Sequence, residues 1–185
     1  MRTALPEIAT EQIEGTLPTR LNLLAVTDAV VFPGVVLPYV VTDAKQIRMI
    51  HSILGGNRIL SVFLKRDTDG DARLFETGTA VKILKMFSVA DGSIGLLLQA
   101  VGRIRFNKIV SRDPFVVADV THLQDGQRSS VKLVSCSKAL LKAFDVFCEH
   151  NNWVSEELIK SVKNVKEMGR MADIISANLN FSLER

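Results

Sequence analysis

A chain of 185 residues with 47% apolar side chains can bury a core of its own, as one large domain or two small ones. Charged residues at 23% and a positive mean hydropathy exclude disorder over most of the length. A formal charge of +3 allows an acidic partner but does not require nucleic acid, whose strong binders cluster Lys and Arg on one stripe.

Residues 1–18 hold Pro6, Gly15 and Pro18 with little periodicity and predict a loosely ordered leader. Glu7, Glu11 and Glu14, with no apolar core segment between them, do not form a secretory signal. Leu21 to Val41 is two apolar runs broken by Phe32-Pro33-Gly34 and again by Pro38. Pro33 has no amide donor and restricts Phe32 before it, which excludes a continuous helix. The β-branched density favours extended backbone on both sides. Two buried strands joined across a tight Pro-Gly turn are expected, with Asp28 as the only charge inside. The region is too interrupted to span a membrane.

Asp43 can cap a helix over Ala44–Leu54, with Ile47, Ile50, Ile53 and Leu54 at core spacing and Gly55-Gly56-Asn57 to stop it. Ile59–Leu64 reads as a buried strand, followed by a polar turn over Asp67–Asp71. Thr77–Val89 and Ser93–Ala100 read as a hairpin through Ala90-Asp91-Gly92. Gly102–Val110 alternates in part, as a half-buried strand does, and Phe115–Leu123 follows Asp113-Pro114. Six or so strands with one inserted helix predict a compact, curled or barrel-like sheet.

The period then changes. Gln124-Asp125-Gly126-Gln127 marks the boundary, and from Ser129 the residues Leu133, Leu140, Phe144, Phe147 and Cys148 recur at helical steps. Asn151-Asn152 interrupts the pattern, Ser155 caps a new helix with acids in its first turn, and Leu158–Val165 and Met168–Leu179 are helical. Trp153, at a helix junction, is expected to wedge the two subdomains together. Cys136 and Cys148 lie about 18 Å apart on one predicted helix, beyond disulfide reach. They read as buried thiols in a reducing compartment, with the cytosol as the default location.

Several segments resemble one family in collinear order. They are Leu21–Pro38 with its Asp28 and Val-Val-Phe-Pro-Gly block, Glu76–Leu84, Val101–Arg105, Pro114–Val120 and Met171–Leu179. Together, over about residues 20 to 183, they resemble the N-terminal domain of the ATP-dependent Lon protease family. Thr27 stands where that family commonly has Arg, Phe115 where it commonly has Tyr, and Ala80-Val81 is shifted against its pattern. The resemblance implies an α+β fold: a PUA-like β-barrel with one inserted helix over residues 19–124, then a helical subdomain over 125–185. It further implies a non-catalytic domain that recognises unfolded or degron-bearing polypeptides and supports assembly of a hexamer. The family's ATPase module, with its ATP and Mg, and its Ser-Lys dyad would lie beyond Arg185. A piece of a longer chain is therefore expected in preference to a stand-alone copy.

Chemistry within these residues is sparse. No phosphate-binding loop of the form G-x-x-x-x-G-K-[ST] occurs, and His51, His122 and His150 fit no metal-ligand spacing. Neither cysteine has a paired base, so no catalytic residue, metal site or cofactor is assigned. The substrate-binding candidate is an apolar patch of Phe32, Pro33, Val35, Pro38 and Tyr39 around the turn, where loops reach the surface. Val31, Val35 and Leu37 would more simply fill the core. Arg103, Arg105 and Lys108, with Arg112 beyond, are a possible polyanion contact, though a solvated strand face explains them more simply. Phe106 alternates away from Arg103 and Arg105, which leaves no aromatic to stack on bases. A stand-alone PUA-like module binding RNA, and a purely oligomerising domain, are the alternatives.

Overall fold

The computed structural model describes residues 17–66, 74–124, 131–151, 153–165 and 167–179. The expected polar turn at Asp67–Asp71, most of the leader and most of the boundary at Gln124–Gln127 lie outside the described residues. The chain divides into two compact units, with the division between Gln124 and Asp125. Among the described residues it is a mixed α/β fold of six strands and four helices.

The first unit holds β1 (Arg20–Val26), β2 (Val36–Val41), α1 (Ala44–Ile53), β3 (Ile59–Leu64), β4 (Thr77–Ser88), β5 (Ile94–Ser111) and β6 (Val117–His122). The sheet order is β2-β5-β4-β3-β1-β6, and β6 also pairs with β5. Because β6 bonds both β1 and β5, those five strands close on themselves and β2 hangs from the first half of β5.

Two apolar clusters fill this unit. One gathers Leu24, Val26, Leu60, Val62, Val81, Leu96 and Leu98 with Met49 and Ile50 of α1; the other gathers Leu21, Ile59, Phe63, Ala80, Ile104 and Val120. Strand alternation sends neighbouring residues of β1, β3 and β4 to opposite clusters. On β5 the parity changes. Ala80 lies opposite Gly102 and Val81 opposite Ala100, which leaves Val101 as an extra residue. That bulge turns Ile104 to the second cluster although Leu98 and Ala100, of the same parity, serve the first.

Two expectations are corrected. β1 and β2 do not pair across a Pro-Gly turn: β1 lies between β3 and β6, and β2 pairs with β5. Pro33-Gly34 instead leads the chain onto β5. Gly34, at φ 79, donates its N–H to the Ala100 carbonyl at 3.0 Å, and the Ala100 N–H donates to the Val35 carbonyl at 2.8 Å. Ser93–Ala100 and Gly102–Val110 are likewise not separate strands but one strand of 18 residues, the interruption being the Val101 bulge.

Other local readings hold. The Asp43 carboxylate accepts from the Gln46 N–H at 2.8 Å and caps α1. After α1 the left-handed residue is Arg58, at φ 57, whose Nε donates to the Leu54 carbonyl at 3.1 Å. The turn Ala90–Gly92 joins β4 to β5, closed by the Val89 N–H donating to the Ser93 carbonyl.

The second unit is α2 (Val131–His150), α3 (Glu156–Asn164) and α4 (Met168–Asn178), packed around Phe144, Val162, Met171 and Ile175. Ser155 caps α3 by accepting from the Leu158 N–H at 3.2 Å. Asp145 and Lys163 form an ion pair at 2.8 Å, half exposed on both sides and so screened by solvent. Leu133 and Cys136 are exposed, so α2 buries the predicted seam only from Leu140 onward and Cys136 is not a buried thiol. Trp153 stands 55% exposed with its ring edge-on to Phe147, 5.9 Å between centroids. Among the described residues no helix is long and apolar enough to cross a membrane.

At Gly78 a Cβ would run into the Val62 carbonyl and the Phe63 ring, because β3 and β4 approach closely there. Gly78→Ala should therefore cost about 1–3 kcal/mol of stability. Urea unfolding followed by circular dichroism checks this, and an unchanged midpoint would contradict the close approach.

Candidate functional site

Between β1 and β2 the segment Thr27–Val35 has to cross from one part of the sheet to another. It is held near its middle, where the Val31 side chain is buried and its carbonyl accepts from the buried Thr79 Oγ1 at 2.5 Å. Beneath and beside it runs a groove of about 550 Å³. Ala29–Pro33 form one wall, Val62 and Leu64 of β3 part of the floor, and Phe75–Thr79 and Arg103 the other side. Val30 and Phe75 stand 47% and 40% exposed in it. The Arg66 guanidinium lies 5.0 Å from the Phe75 ring centroid, in cation–π contact at the rim. A wet apolar cleft with a few fixed charges suits a ligand that offers apolar side chains.

The structure divides the apolar candidates. Phe32 and Pro33 line the groove. Val35 packs against the first core cluster, as do Val31 and Leu37. Pro38 is exposed on β2 opposite Leu97, away from the groove lining. Tyr39 leans on the core, and its hydroxyl donates to the Asp28 carboxylate.

The family model of the ATP-dependent protease La (LON) substrate-binding domain matches residues 20–185. The chain belongs to that family. It is 24% identical over 180 residues to Lon protease 1 of Syntrophobacter fumaroxidans, covering 94% of this chain and 22% of the relative. It is 28% identical over 188 residues to the Lon protease of Roseiflexus castenholzii, covering 100% of this chain and 23% of the relative. The chain thus spans less than a quarter of these relatives' length. Among solved structures, the N-terminal domain of the Mycobacterium avium complex Lon protease superposes with a TM-score of 0.73 at 18% identity, over 88% of this chain and 84% of that one. The Lon N-terminal domain protein of Xanthomonas campestris superposes at 0.54, also at 18% identity, over 88% and 99%. These likenesses show the fold.

Within this Lon domain the basic candidates also separate. The Val101 bulge turns Arg103 toward the groove. Arg105 lies opposite Thr77 and Thr121 and is exposed. A second bulge, at Asn107, brings the exposed Lys108 opposite Asp119 and onto the side of Arg105, where simple alternation would have parted them. Asn107 spends its amide on Asp119 at 3.2 Å and Thr121 at 3.0 Å. Phe106 turns inward, edge-on to Phe63 at 5.7 Å.

Among the described residues no cluster of three His, Cys, Asp or Glu could hold a metal ion. Burial, then the Asp145 carboxylate, push the Cys148 thiol up, which is the opposite of nucleophile activation. Sequence reasoning missed Val30, Phe75 and Arg66 as groove residues. The signal for Phe75 was the apolar pair Leu74-Phe75 after a polar run; nothing local marked Val30 or Arg66.

Tyr39 is the chain's single tyrosine. Burial first, and then Asp28, push its hydroxyl from 10.0 up to about 12. A pKa raised in the folded state means stability fully present below pH 10.0 and lost as the pH climbs toward about 12. Ultraviolet titration of the folded chain should show tyrosinate forming near pH 12, and Asp28→Asn should lower the midpoint while burial keeps it above the ordinary value. Tyr39→Phe should remove this part of the alkaline loss of stability. A midpoint at 10.0 in the folded chain would refute the Asp28–Tyr39 contact.

Proposed function

We propose that this domain captures unfolded or damaged polypeptide for an ATP-dependent serine protease of the Lon type, with the apolar groove under Ala29–Pro33 as the capture site. The observation that carries the reading is the exposure of Val30 and Phe75 in a groove also lined by Phe32, within a Lon substrate-binding domain. Apolar burial is non-directional, which suits a protease that must accept many sequences. The closed sheet is read as a PUA-like barrel. The domain contributes no catalytic group or cofactor; ATP and Mg belong to an ATPase module elsewhere in the parent. Self-association in a hexameric parent raises weak single-site affinity through avidity. The cytoplasm is its place, and nucleic acid and membrane are not its ligands.

Removing an aromatic wall should weaken capture. Phe32→Ser and Phe75→Ser should each raise the Kd for a reduced, permanently unfolded protein about tenfold, read by fluorescence anisotropy with the thermal midpoint as a control. Added salt should weaken capture only slightly, whereas phosphate contacts at Arg105 and Lys108 would weaken steeply. Unchanged affinity in both serine variants, or a steep loss with salt, would refute the site.

A further inference from the structure

The wall of the groove has main-chain character as well as an apolar face. Ala29, Val30 and Phe32 belong to no strand or helix. Among the described residues their N–H and C=O groups have no hydrogen-bond partner, and Val31 spends only its carbonyl, on Thr79. Groups left in that state must stay wet, and the 47% exposure of Val30 keeps the segment at the surface. A run of unpaired backbone beside an apolar cleft is a template for another extended chain.

We propose, resting on the capture reading above, that the lip Ala29–Phe32 takes its substrate as an added strand, main chain to main chain. It selects segments in which an apolar side chain has a carboxylate as its same-face neighbour.

Three observations support this mode. The lip is fixed before any ligand arrives: Val31 is buried and bonded to Thr79, and Gly34 is bonded to Ala100, so little ordering remains to oppose binding. The other open edge is blunted, because β2 ends the sheet order and carries Pro38, which has no N–H to donate. Charge then picks the flank. Among the described residues the groove is lined by Arg66, Arg103 and one acid, Glu76, and Arg66 forms no ion pair with any of them. Arg66 lies 5.0 Å from the Phe75 ring. In an extended peptide, the residue two positions from a side chain packed on Phe75 sits on the same face about 7 Å away, within reach of Arg66.

The probe is a short fluorescein-labelled peptide with Phe-Ser-Asp at its centre and Ser and Thr elsewhere, titrated into the full 185-residue chain by anisotropy. Two N-methylated forms, blocked at alternate residues, remove the amide donors of one edge or the other. One form should lose about tenfold in affinity and the other should bind like the parent, because only one edge meets the lip. Replacing the peptide's Asp by Lys should lose a similar factor, and Arg66→Glu in the protein should reverse that preference. Equal binding by both N-methylated forms overturns main-chain pairing, and indifference to the charge change overturns the flank. Failure of every peptide while unfolded protein is still captured sinks this inference alone; failure of both ligands sinks the capture reading with it.

Discussion

One strand organises the whole first unit. β5 is 18 residues long and bonds β2 over its first part, β6 over its last, and β4 along most of its length. No shorter strand could do this, since reaching both β2 and β6 takes roughly 60 Å of extended chain. Such a strand cannot stay regular if both of its ends are to bury side chains on the correct face. The bulge at Val101 solves that conflict by switching parity midway, so that Leu96 and Leu98 fill one cluster and Ile104 the other. The same switch aims Arg103 at the groove.

The groove is a consequence of topology. β1 sits between β3 and β6, whereas β2 must reach the far side of β5, so the chain between them has to bridge the sheet. A bridge that buried all its own groups would need a partner for each N–H and C=O, and each one left dry and unpaired would cost about 1–3 kcal/mol. This bridge buries one side chain, Val31, and meets its carbonyl with Thr79; the neighbouring residues stay at the surface. An apolar, partly wet cleft is what remains beneath it. Capture of non-native chains needs that kind of surface: sticky enough to hold apolar side chains, yet without a shape that fits only one of them.

Local structure was largely legible in the sequence, and pairing was not. Asp43 and Ser155 announced their helices, and Asp91-Gly92 announced a hairpin, because capping and turn chemistry act over three or four residues. Pro33-Gly34 misled for the same reason. A turn signal says that the chain bends there, and says nothing about which strand it meets next. Lys108 stands at an odd spacing from Arg105, which simple alternation would part, and only the bulge at Asn107 brings the two to one side. Half of the groove was hidden because its floor and far side come from Val62, Leu64 and Phe75, thirty or more positions from Phe32 in the numbering. Leu133 fits a helical seam and yet stays exposed, since periodicity marks a face of a helix and cannot say how far along it the neighbours extend.

Asp28 and Tyr39 show the difference between recognising a residue and knowing its role. A single carboxylate within twenty apolar positions looked like an interruption, and the one tyrosine looked like a surface contact. The structure pairs them: the Tyr39 hydroxyl on β2 donates to Asp28 at the start of the bridge. The bridge is then held at Asp28, at Val31 by Thr79 and at Gly34 by Ala100, about every third residue. Anchors at every third residue leave the N–H and C=O groups of Ala29, Val30 and Phe32 unspent between them. A segment held this way is ordered without being saturated. Order lowers the entropic cost of gaining a partner, and the unspent groups give that partner something to bind.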